Sequence, residues 1–136
     1  MRIALLVTAL SFFTAPAQSQ EVGAKLIDPA NAGAIFAEAC IKKLPSFRRS
    51  GNTLDVNGFL KASTGTFFHP EFNISVKPVR NEKCSLVMVF RGDDAASISR
   101  FSDAVTKRTG GEAAGIKITT RQLAGKNYLV AETRPE

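Results

Sequence analysis

Several short stretches of this chain alternate apolar and polar residues with a period of two. Phe72, Ile74 and Val76 alternate with Asn73, Ser75 and Lys77, the pattern of a strand with one buried and one wetted face. In the following run Cys84, Leu86, Met88 and Phe90 share one side, while Ser85, Val87, Val89 and Arg91 share the other. Both sides are largely apolar, which predicts a central strand covered on its cysteine face by a helix and at least partly shielded on the other. Gly65 to Phe68 predicts a shorter strand before these, His69-Pro70 a break, and Arg80 to Lys83 the turn between the second strand and the third. Pro78 can donate no ladder hydrogen bond, so it belongs at a strand end or on an unpaired edge. Ile116 and Ile118 alternate with Lys117 and Thr119 in a fourth strand, and a turn around Gly125-Lys126 leads to a fifth, Tyr128 to Glu132.

Two other stretches repeat at helical spacing. Asp28-Pro29 offers a cap followed by proline at the first helical position, with Asn31 as a second candidate cap. Phe36, Cys40 and Leu44, beside Ala37 and Ile41, form an apolar stripe that puts Cys40 on the buried face. Lys42 and Lys43 then fall in the last turn, and Pro45 stops the helix at Leu44. In the second helix Asp93 and Asp94 supply a cap and an acidic first turn. Ile98, Phe101 and Val105 form its stripe, which runs up to Lys107-Arg108 and a stop at Gly110-Gly111. From Ser46 to Asn57 the signals are mixed: Arg48-Arg49 and Ser50-Gly51-Asn52 read as loop, Leu54 and Val56 as a short helical turn or an extended piece, and an irregular connection is expected. Asn57-Gly58 is a turn after which Phe59 and Leu60 return to the core. The predicted fold is a two-layer α+β sandwich of order α-β-β-β-α-β-β, an antiparallel sheet of five strands with two helices on one face, as a single domain over residues 31–136.

The first residues do not share this patterning. Arg2 is a small basic region, Ile3 to Phe13 an apolar core, and Ala15-Pro16-Ala17 a small-x-small cleavage site, so residues 1–17 read as a secretory signal peptide. The apolar run is far short of the ~20 residues that span a bilayer, so no integral membrane segment is expected after its removal. Residues 18–30 mix small and polar side chains without periodicity and read as a flexible arm. The chain carries 18 Lys and Arg against 12 Asp and Glu, and loss of Arg2 with the leader lowers its formal charge of +6 by one. On an exported protein that balance points to anionic polymers before nucleic acid. Two cysteines in an oxidising compartment predict one disulfide, Cys40 to Cys84.

Cys40 with Leu44-Pro45 and Phe47, Gly58-Phe59, Thr64-Gly65-Thr66-Phe67-Phe68-His69-Pro70, Asn73, Ser75-Val76-Lys77 and Cys84-Ser85 together resemble a group of small exported bacterial proteins of unassigned function. The resemblance spans the middle half of the mature chain. It implies export to the periplasm or beyond and the disulfide, and supplies no catalytic or binding residue.

The chemistry on offer is sparse. His69 is the sole histidine, so a Ser-His-acid relay would have to use it. Cys40, Cys84 and His69 are too few ligands for a structural zinc site, and no metal is expected. Gly110-Gly111 follows a helix where a cap is needed, and nothing resembles a dinucleotide or phosphate loop, so no cofactor is expected. Asp93-Asp94 sits where helix caps are wanted, which leaves no paired carboxylates for acid and base work. No catalytic residue is named. His69 and Glu71, with Arg48 and Arg49, are the candidates for a surface site. The expected function is a non-catalytic binding or accessory protein that recognises an envelope protein or an anionic polymer; the alternative is a hydrolase of unfamiliar type centred on His69.

Overall fold

The computed structural model describes residues 22–111 and 115–136. The leader assigned to residues 1–17, and the first residues of the arm, lie outside the described residues. Helix α1 spans Pro29–Ala39, because Asp28 stays extended and accepts a hydrogen bond from the Ala30 N–H at 2.9 Å, while Pro29 occupies the first turn, where its missing N–H is no loss. Regular helix ends at Ala39 rather than Leu44, and Ile41–Lys43 make a single tighter 3-10 turn. Pro45 explains the shortening: it has no N–H to offer Ile41 and holds Leu44 in extended backbone with ψ 147°.

Helix α2, Ser50–Val56, lies where an irregular connection was expected. Only Ser50 and Leu54 are buried and Val56 is 86% exposed, so the helix carries no apolar repeat to announce it. Helix α3 spans Asp94–Thr109. Asp93 caps it by accepting from the Ala96 N–H at 3.0 Å, and Gly110 closes it in left-handed backbone at φ 71°.

The strands are β1 Leu60–Lys61, β2 Phe67–Phe68, β3 Ile74–Val79, β4 Lys83–Phe90, β5 Ile116–Leu123 and β6 Lys126–Thr133. They form one antiparallel sheet in the order β1-β2-β3-β4-β6-β5. The α+β class therefore holds, but the described residues form six strands and three helices in the order α-α-β-β-β-β-α-β-β rather than five and two. The added strand, β1, is two exposed residues long, too short to show any alternation. Pro78 lies opposite Cys84, past the end of β2, which reaches only Ser75 and Val76, so its missing donor faces no neighbour. Ala124 and Gly125, at φ 51° and 77°, make the two-residue turn that returns β6 between β4 and β5.

The inner face of the sheet presents Ile74, Val76, Cys84, Leu86, Met88, Leu129 and Ala131 to Phe36, Ala37, Phe101 and Val105 of the helices, all buried in one cluster. Where α1 crosses α3, a Cβ added at Gly33 would sit 2.4 Å from the Phe101 carbonyl oxygen, so only glycine admits the approach. The rings of Phe36 and Phe101 then meet with centroids 5.7 Å apart. Asp28 fastens the same helix pair at its other end, taking the Arg100 guanidinium on both carboxylate oxygens. The Ala30 N–H and then that guanidinium hold the Asp28 carboxyl below its ordinary range. Cys40, at the end of α1, is bonded to Cys84 of β4, with Cα atoms 5.6 Å apart and no exposure at either residue.

Within the segment assigned to the arm, residues 23–27 lie along the β2–β3 loop. Gly23 donates to the His69 carbonyl at 2.8 Å, Lys25 to that of Glu71 at 3.2 Å, and Asn73 donates back to the Lys25 carbonyl at 2.8 Å. Ile27 enters the core.

The disulfide closes a sequence separation of 44 residues, which restricts the unfolded chain by about 4 kcal/mol. Reduction should lower the thermal midpoint by about 15 °C or more, as read from melts with and without reductant. An unchanged midpoint would show that the bond carries no stability. Gly33→Ala should cost about 1–3 kcal/mol in urea unfolding, because the added methyl has backbone rather than a flexible side chain to displace.

Candidate functional site

The nominated residues separate into two places. His69 and Glu71 lie in the loop between β2 and β3, and Arg48 and Arg49 in the turn that leads into α2.

His69 is built into its loop. Its Nδ1 accepts from the N–H groups of Glu71 at 3.1 Å and Phe72 at 3.2 Å, the role an Asx side chain plays in a turn. The ring stands edge-on to Phe59 with centroids 5.2 Å apart and against Phe72 at 5.1 Å. Its own N–H donates to the Ile74 carbonyl, so both its backbone and its side chain shape the entry to β3. Glu71 turns away towards Lys25, 3.7 Å distant, with both side chains more than half exposed. The nitrogen that a carboxylate would orient in a catalytic relay is occupied by backbone donors.

Arg48 has a different setting. It opens a cleft of about 440 Å³ with Lys61 and Arg80, over a floor made by Phe67 and Phe47, with Gly51, Gly65 and Pro78 at the margins. Two turns and the short strand β1 bring the cations together. Phe47 is held in left-handed backbone at φ 60°, an unusual conformation for a large side chain, while its ring is 3% exposed. The turn is fixed by the Phe47 N–H on the Lys43 carbonyl at 2.8 Å and the Ser50 N–H on the Phe47 carbonyl at 3.2 Å, and Arg48 projects to solvent from it. The β3–β4 turn is tied to this one by the Asn81 N–H on the Ser46 carbonyl at 3.0 Å, which sets Arg80 beside Arg48. Lys61 comes from β1, and its ammonium lies 5.9 Å above the centre of the Phe67 ring, within range of a cation–π contact.

Glycine makes the floor possible. A Cβ at Gly51 would lie 3.1 Å from the tip of Phe67, so α2 can rest on the ring because that position has no side chain. No carboxylate lines the cleft, and among the described residues Arg48, Lys61 and Arg80 form no ion pair. Cations gathered without counter-charge repel one another unless an anion stands among them. Arg48 was nominated from the sequence; Lys61 and Arg80 were not, because isolated cations in separate elements form no run that a sequence can display. Arg49 precedes the first residue of α2, makes no side-chain cap, and does not line the cleft.

No protein-family model, curated protein or solved structure matches the chain.

The two N–H groups on His69 make a specific stability prediction. His69→Ala should cost about 1–2 kcal/mol in urea unfolding, since both donors lose their acceptor. His69→Asn should recover part of that loss, because an asparagine oxygen can take the same Asx-type position. Equal losses in the two variants would mean that ring packing alone accounts for the effect.

Proposed function

We propose that this protein is a small exported, disulfide-stabilised binding protein of the bacterial periplasm or cell exterior, and that the cleft of Arg48, Lys61 and Arg80 holds an anionic group of an envelope polymer. The observation that carries the reading is the assembly of three uncompensated cations over an apolar floor. Guanidinium groups recognise carboxylate, sulfate or phosphate oxygens in pairs, and Lys61 adds a point charge above Phe67. The largely buried rings of Phe47 and Phe67 form the apolar base beneath the cations. The cleft is open, as suits one unit of a chain that continues past it on both sides.

Export is supported by the leader pattern of residues 1–17, and by the oxidised cysteine pair, which persists in an oxidising compartment. No helix among the described residues is long and apolar enough to cross a membrane. The basic balance of the chain suits attraction to an anionic matrix, which salt should screen beyond about 10 Å at 0.1 M.

The test uses dextran sulfate and polygalacturonate as sulfate- and carboxylate-bearing probes at low ionic strength. Binding should weaken steeply as salt is added, and Arg48→Ala/Lys61→Ala/Arg80→Ala should reduce affinity by about tenfold. Lys117→Ala/Arg121→Ala, on β5, serves as the control and should leave polymer binding within about twofold. Equal affinity of the triple variant and the parent for both probes would remove the cleft from the reading.

A further inference from the structure

Strand β5 ends the sheet: the order closes on β6-β5, and no described strand pairs with its far side. The two-residue turn at Ala124-Gly125 makes Leu123 and Lys126 the closing hydrogen-bonded pair of the hairpin, so such pairs recur at Arg121, Thr119 and Lys117. The residues between them, Ile116, Ile118, Thr120 and Gln122, turn their N–H and C=O groups away from β6. This is a ready ladder for an added strand.

Charge selects what could use it. Lys117, Thr119 and Arg121 alternate onto the face of the sheet that carries no helix, and neither cation forms an ion pair among the described residues. Glu132, opposite Lys117 on β6, is already engaged by Lys83 at 3.4 Å and Arg134 at 3.3 Å. Between these side chains and Val130 lies a hollow of about 130 Å³. A residue of an added strand opposite Thr119 would stand next to this hollow and diagonal to both cations, about 7–8 Å away between backbones and within reach of long side chains.

We propose that the β5 edge takes an extended acidic segment of a partner protein as a seventh strand, with carboxylates set against Lys117 and Arg121. A second copy of this chain is the poorer occupant. Ladder parity pairs even-numbered residues with even-numbered ones, and the longest registers, centred on Thr119 or Thr120, bring the Lys117 of each copy opposite or diagonal to the Arg121 of the other. The proposal stands on a different surface from the cationic cleft and does not depend on it.

The probe is a peptide of about nine residues that alternates valine and glutamate, titrated at low salt into nitrogen-15-labelled protein. Amide shifts should run along residues 116–122, and solvent exchange at Ile118 and Thr120 should slow as their N–H groups become bonded. Lys117→Glu/Arg121→Glu should weaken this peptide by about tenfold and admit the matching valine-lysine peptide. Should charge reversal lower the unfolding midpoint, Lys117→Ala/Arg121→Ala should still weaken the acidic peptide by about threefold. Arg48→Ala/Lys61→Ala/Arg80→Ala should leave the shifts along β5 in place, so failure of this proposal and failure of the cleft reading are separable. Shifts confined to the cleft, equal affinity for the acidic and basic peptides, or concentration-dependent shifts along β5 without peptide would each overturn it, the last by giving the edge to a second copy.

Discussion

The bond between Cys40 and Cys84 joins the end of the first helix to the strand on which the other elements converge. β4 is flanked by β3 and β6, its inner face carries Leu86 and Met88 into the core, and α1 is fixed to it through Cys40. Helix α3 is set in turn by α1, through the contact at Gly33 and the ion pair of Asp28 with Arg100. A domain of about a hundred residues buries little more than 60% of the surface of its unfolded chain. With so little surface to hide, a covalent tie between its two layers removes a large part of the freedom that folding must overcome.

One layer of helices covers one face of the sheet, and the composition of the strands follows from that. Inner positions are apolar, whereas the other face carries Ser75, Ser85, Thr119 and Glu132 with half-exposed valines such as Val87 and Val130. The two proposed sites are positioned by different means. The cleft of Arg48, Lys61 and Arg80 is assembled from two turns and the short β1, where backbone hydrogen bonds such as Asn81 to Ser46 set the side chains, while the edge of β5 is set by the register of the sheet itself. A turn-built site tolerates variation in its ligand; a ladder demands an extended one.

The sequence displayed what regular burial creates. Phe72 to Lys77, Cys84 to Phe90, Ile116 to Thr119 and Tyr128 to Glu132 alternate because one side of each meets the helices, and Ile98, Phe101 and Val105 repeat because α3 presents one stripe to the sheet. It hid what a single contact creates. Leu54 alone anchors the apolar side of α2, Leu60–Lys61 are too few to alternate, and the end of α1 is decided by Pro45 acting back on Leu44 and Ile41 rather than by the stripe that continues through them. Gly33 looks like a poor helix former until the backbone of Phe101 is seen against it. The cationic cleft was half legible: Arg48 stood in a marked loop, but its meeting with Lys61 and Arg80 depends on two turns packing beside β1, which no local pattern encodes.

Strand β6 is the last strand in chain order, yet it lies inside the sheet, between β4 and β5. Until residues 126–133 insert there, β4 lacks its longer neighbour and β5 has no partner strand among the described residues. The sheet is therefore completed through pairings that are distant in sequence, since β4 and β6 are separated by α3 and β5, and pairings of that kind form more slowly than local ones. Slow closure of the sheet would suit a polypeptide that crosses a membrane before it folds, as the proposed export requires.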